Sequence, residues 1–143
     1  MQIRKILVPV DFSEHSRRAL EDAIGLAKVW EAELHILHCY QIRPEAIDLY
    51  GIVVPETLDH DIRQAALRKL GEWRDKARSE GIEVEEHISP RLPGESIALF
   101  ARELGVDLVV MGTRGLSGIK HALLGSVAER ALREAPCPVW VVR

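Results

Sequence analysis

Residues 107–127 read Asp-Leu-Val-Val-Met-Gly-Thr-Arg-Gly-Leu-Ser-Gly-Ile-Lys-His-Ala-Leu-Leu-Gly-Ser-Val. Leu108 to Met111 is an unbroken apolar run of strand length, as expected of a strand buried on both faces. Gly112 leaves it, Gly115 comes after two more residues, and Gly125-Ser126 after nine more. A helix opens there, carried by Leu124, Val127, Ala128, Ala131, Leu132 and Ala135. The stretch is therefore a strand, a glycine-marked loop and a helix. Pro136 and Pro138 bracket the helix end, and Val139 to Val142 forms another strand.

The same alternation repeats toward the N-terminus. Ile6-Leu7-Val8 reads as a second strand buried on both faces. Ser13 can cap a helix whose Leu20, Ala23, Ile24 and Ala27 fall at offsets 0, 3, 4 and 7. Leu34 to Tyr40 is a strand, and Asp61 to Ser79 is a helix marked by Ile62, Ala65, Ala66, Leu70, Trp73 and Ala77. Gly81 stands where a left-handed helix stop falls. Ile82 to Ser89 is a strand whose Glu86 interrupts its apolar face, so it is expected at a sheet edge where that carboxylate meets water. Pro93-Gly94 turns into a helix with Ile97, Phe100, Ala101 and Leu104 inward, ended by Gly105.

The order β-α-β-α-β-α-β-α-β predicts an α/β fold: one doubly wound, open, parallel five-stranded sheet, helices on both faces, strand order 3-2-1-4-5. At 143 residues the chain is expected to form a single domain over 1–143. The connections 42–57 and 112–123 exceed the roughly 2–6 residues usual in such units. The second leaves the carboxyl end of a central strand, where doubly wound sheets bind ligands as strand order reverses.

Composition narrows the function. A net charge of −3, with acids and bases interspersed, gives no basic stripe for nucleic acid. No apolar run is long enough to span a membrane. The first residues, Met1-Gln2-Ile3-Arg4-Lys5, lack the pattern of a signal peptide, so the cytoplasm is expected. Cys39 and Cys137 are spaced for neither a redox pair nor a zinc site and are expected as free thiols. His35 and His38 fall on opposite faces of one strand and cannot share a metal. His15, His60 and His87 have no partner at ligand spacing, so no metal site of protein ligands is expected.

The glycines admit two readings. Gly112, Gly115 and Gly125 can let backbone N–H groups approach a phosphate, with Ser126 adding a hydroxyl at a helix N-terminus and Arg114, Lys120 and His121 supplying polar contacts. Equally, they can shape a long turn and start a helix. The chain lacks Gly-Lys-Ser/Thr, so it is not a P-loop, and no G-x-G-x-x-G succeeds the first strand. Ser89-Pro90 stands where a receiver domain needs its phosphoacceptor aspartate.

The spacing Gly-x2-Gly-x9-Gly-Ser resembles the ATP-binding signature of the universal stress protein family. Lys5 to Ser13 resembles that family's opening strand and turn, Leu37 to Tyr40 the end of its second strand, and Ala135 to Val139 its ending. The resemblance implies ATP, with Mg2+ or Mn2+ held through the phosphates. It makes Pro9, Val10 and Asp11 a wall of the adenosine pocket, with Asp11 toward the ribose; the alternative for Asp11 is a helix-capping carboxylate. It assigns the backbone of Cys39 to the adenine edge and Met111 to the ribose side. Gly112 and Gly115 then approach ribose and phosphates, and Gly125, Ser126 and Val127 hold the phosphate chain.

The function so implied is a nucleotide-dependent sensor or switch in the stress response, with an unnamed protein partner downstream. No paired carboxylates, activated nucleophile or arginine finger emerges, so little or no ATP hydrolysis is expected and no catalytic residue is assigned. The alternatives are a slow ATP hydrolase and a dimeric interaction protein with a vestigial pocket. Val139-Trp140-Val141-Val142, apolar on both faces, is expected to pair with its own copy in a homodimer, as the resemblance also implies.

Overall fold

The computed structural model describes residues 1–40, 51, 55–115 and 124–143. Its elements are β1 (Lys5–Pro9), α1 (Glu14–Trp30), β2 (Glu33–Cys39), α2 (Glu56–Ser79), β3 (Val84–Ser89), α3 (Pro93–Glu103), β4 (Leu108–Gly112), α4 (Ser126–Glu134) and β5 (Val139–Val142). All strand pairs are parallel, in the order β3-β2-β1-β4-β5, as expected. The chain winds from β1 toward β3 on one side, then returns to place β4 on the other side of β1. The β1–β4 seam is where strand order reverses.

Strand side chains alternate between two cores. Ile6, Val8, Leu34, Ile36 and Val110 pack with α1 and α2, through Leu20, Ala23 and Leu70 among others. Leu7, Leu37, Val109 and Met111 face the other way, against Ile97 and Ala101 of α3 and Ala128 and Ala131 of α4. Ile6, Leu7, Val8, Val109 and Val110 are each 0% exposed, so β1 and β4 need apolar residues at successive positions. Each such burial contributes about 1.5–3 kcal/mol, which makes the seam the best anchored part of the sheet.

Several boundaries differ from the periodicity. Helix α2 begins at Glu56, five residues before the expected Asp61. Its first turns carry exposed polar residues and the partly exposed Leu58, so no apolar rhythm marks them. Strand β3 begins at Val84 rather than Ile82. Leu132, expected on the buried face of α4, is 49% exposed; the short α4 buries only Ala128 and Ala131. Strand β3 does lie at an edge, and Glu86 is half-buried there, its Oε1 accepting from Arg74 of α2 at 2.8 Å. The expected stops hold: Gly81 and Gly105 have φ of 83° and 62°. Much of both long connections, 41–50, 52–54 and 116–123, lies outside the described residues, Lys120 and His121 included.

Candidate functional site

The carboxyl ends of β1 and β4 lie side by side at the seam, and the turn leaving β1 meets the loop leaving β4. Beyond β1, Val10 donates its N–H to the Leu37 carbonyl at 2.8 Å, continuing the ladder for one more residue. The chain then turns sharply through Phe12, whose φ of 65° lies in the left-handed region that non-glycine residues seldom occupy. Asp11 braces this turn by accepting the Ser13 N–H on Oδ1 at 3.0 Å. Ser13 caps α1, its Oγ accepting the Ser16 N–H at 3.2 Å. The cap itself is therefore Ser13, with Asp11 Oδ1 bracing the turn before it, while Asp11 Oδ2 lies against Gly115, where a Cβ would collide with it.

The loop after β4 is built by close approach. A Cβ on Gly112 would lie 2.8 Å from His15 Cβ and 2.9 Å from the His15 carbonyl carbon. Thr113 donates its N–H to the Val142 carbonyl at 2.9 Å, and its own carbonyl accepts the Gly125 N–H at 2.6 Å. A Cβ on Gly125 would stand 3.0 Å from that carbonyl oxygen. None of Gly112, Gly115 and Gly125 has a positive φ, so each is glycine for space rather than for a left-handed backbone. The three differ in what they clear: backbone at Gly112 and Gly125, a carboxylate tip at Gly115.

The Gly125 amide is therefore engaged by Thr113, which corrects the expectation that it stands open for a phosphate. Among the described residues no side chain caps the N-terminus of α4, and Ser126 at its first position is exposed. Its first-turn amides and the helix dipole make that end attractive to an anion. Gly115 is exposed and Arg114 half-buried beside it, with the Arg114 Cα 3.6 Å from where a Gly125 Cβ would be. Pro9 is half-buried at the end of β1, Val127 packs against the α3–α4 core, and Met111 is 5% exposed within that core.

On the β2 side, His38 donates Nδ1–H to the Val10 carbonyl at 2.8 Å, since a carbonyl can only accept. Its ring lies 4.3 Å from that of Phe12, which also meets Trp73 edge-on and carries the Lys69 ammonium over its face. Burial pushes the His38 pKa down, partly offset by the Val10 carbonyl and Asp11. Burial pushes the Cys39 and Cys137 thiols up, so both are poor nucleophiles. Cys39 ends β2 paired with Ser89, leaving its backbone at the strand's carboxyl end.

One of the histidines corrects the sequence reading. His15 packs against Gly112, its buried Nδ1 without a hydrogen-bond partner among the described residues, which leaves that reading as it stood. His87, expected to have no partner at ligand spacing, lies with its Nε2 3.0 Å from His35 Nδ1. Burial pushes both of those rings below the ordinary imidazole pKa. The signal was the register of β2 and β3, which spacing within one strand does not carry.

Comparison with known proteins places these features in a family. The model of the universal stress protein family matches residues 2–143. Universal stress protein YxiE of Bacillus subtilis is 38% identical over 148 residues, spanning 97% of this chain and 98% of that one. The solved structure of MJ0577, from Methanocaldococcus jannaschii, superposes with a TM-score of 0.86 at 29% identity, covering 99% and 96% of the two chains. A universal stress protein from Archaeoglobus fulgidus, solved in complex with dAMP, gives a TM-score of 0.71 at 27% identity and covers 100% of both chains.

Proposed function

The chain belongs to the universal stress protein family, and we propose that it is a single-domain, ATP-binding sensor whose nucleotide sits over the β1–β4 seam. The observation that carries this reading is the meeting of Asp11 Oδ2 with the bare Cα of Gly115 beside the N-terminus of α4, which no described side chain caps. An acidic hydroxyl-binder, a side-chain-free approach and an anion-favouring helix end answer in turn to a ribose, a phosphate chain and its charge. The dAMP complex of the Archaeoglobus fulgidus relative supports an adenine nucleotide as the ligand class.

In this reading Pro9, Val10 and the Cys39 backbone flank the adenosine, and Met111 supports the ribose side from beneath. Gly112 and Gly115 admit ribose and phosphates. Gly125, Ser126 and Val127 hold the phosphate chain at the first α4 turn, with Arg114 contributing beside them. Mg2+ or Mn2+ would ride on the phosphates, with Asp11 the carboxylate facing them. The residues described orient and neutralise a nucleotide but supply no activated nucleophile, so occupancy rather than turnover is the signal. The cytoplasm, with its ATP pool, is the compartment this function suits.

Mass analysis of the nucleotide released from freshly purified protein tests the ligand. ATP, ADP, AMP or cyclic AMP in near-stoichiometric amount is the expected result, and protein that carries none and takes up none contradicts it. Sustained hydrolysis near the enzyme median of about 10 per second would contradict the sensor reading and make the chain an ATPase.

A further inference from the structure

On the sheet face that carries α3, away from the seam, three potential ligand atoms converge. His35 of β2 pairs with Glu85 of β3, and His87 lies two residues along β3 on the same face. His35 Nδ1 is 3.0 Å from His87 Nε2 and 3.5 Å from Glu85 Oε2, and His87 Nε2 is 3.9 Å from that oxygen. We propose that His35 Nδ1, His87 Nε2 and the Glu85 carboxylate form a binding site for a divalent transition ion of the zinc class, which ties the edge strand β3 to β2.

The spacing fits the chemistry. Four-coordinate zinc with bonds of about 2.0–2.2 Å separates its ligand atoms by roughly 3.3–3.6 Å, and the three edges bracket that range. Two imidazoles and one carboxylate suit zinc, copper or nickel better than magnesium or calcium, which prefer oxygen ligands. The rigidity is graded: His35 is 2% exposed, His87 is half-buried against the Phe100 ring, and Glu85 is exposed. The site therefore has a fixed wall and a solvent-facing lip through which an ion and one water ligand can enter.

Without an ion the cluster is poorly matched. Only one proton fits between the facing imidazole nitrogens. If His35 donates it, the bare Nε2 of His35 faces the Glu33 carboxylate at 3.7 Å. If His87 donates it, Glu85 Oε2 receives none. An ion at the centre accepts all three lone pairs and fixes the His35 proton on Nε2, toward Glu33. That is the carboxylate–histidine–metal arrangement, in which the outer carboxylate orients the ring. In the structure His35 Nε2 is buried and has no hydrogen-bond partner, so this outer contact is poised rather than made. Lys5, 3.8 Å from Glu33, and Arg74, held by Glu86 on the opposite face, are the neighbouring cations, and each already faces a carboxylate.

The test is calorimetric titration of zinc chloride into the intact, chelator-treated protein without nucleotide, with His87→Gln, Glu85→Gln and the surface variant His60→Gln alongside. One zinc per chain is expected. Binding should weaken at least tenfold in His87→Gln and Glu85→Gln and stay unchanged in His60→Gln, and zinc should raise the melting temperature of the wild type but not of His87→Gln. Zinc binding of equal strength in wild type and His87→Gln, or no saturable binding by the wild type below about 100 µM, would overturn the proposal. Both variants lie at exposed or half-buried positions, and circular dichroism matching the wild type excludes misfolding as the cause of a loss.

Discussion

Three glycines in one loop invite a single explanation, yet the space around each separates them. Gly112 is enclosed by His15, whose Cβ and carbonyl carbon lie within 3.0 Å of any added Cβ. Gly112→Ala should therefore destabilise the fold by about 1–3 kcal/mol, the usual cost of overpacking; an unchanged urea midpoint would show that the α1 turn gives way freely. Among the described residues Gly115 clears the tip of the Asp11 side chain rather than backbone, so a side chain there should cost less stability than one at Gly112. His38 matters through its charge. Burial holds its pKa below the ordinary 6.5, so the unfolded chain binds a proton at that ring before the folded one does. The stability owed to the neutral ring is present above that value and is lost as pH falls through it. Between about pH 7.5 and 5.5 the wild type should lose more stability than His38→Gln, as urea midpoints would show; equal losses would contradict this.

Among the elements, what the sequence made legible was what is buried. Strands β1 and β4 were readable because both faces are covered, and α1 because its apolar stripe and Ser13 cap are both local features. Removing that cap with Ser13→Ala should cost about 1 kcal/mol, read as a lower urea midpoint, and no change would mean that Asp11 or water replaces it. The first turns of α2 were not readable because exposed residues keep no apolar rhythm. The Arg74–Glu86 ion pair was not readable because the two residues lie on different elements. The His35–His87 contact was hidden for the same reason: it depends on the β2–β3 register, which joins residues 52 apart in the chain. The glycine spacing marked the loop that the fold brings to the β1–β4 seam, but only the folded loop shows the Gly125 amide spent on Thr113.

For the whole molecule, the strand order puts the seam and the edge β5 on different parts of one sheet, so the proposed binding and self-association can be tested separately. On β5, Trp140 is 47% exposed and, with Met1, Ile3, Trp30 and Pro138, lines an apolar hollow of about 500 Å3. An edge of this kind favours pairing with a second copy. Light scattering should give twice the 16.1 kDa chain mass, and Val141→Pro should lower it toward one chain by removing a ladder donor; a wild-type monomer would contradict the dimer. No helix among the described residues is long and apolar enough to cross a membrane. Whether an adenine nucleotide occupies the β1–β4 seam is decided by calorimetric titration of ATP into the wild type and Gly115→Val. Saturable binding by the wild type, lost or weakened at least tenfold in a Gly115→Val protein of unchanged stability, is the predicted result. Equal ATP affinity in the two proteins, or no binding by the wild type, would contradict it.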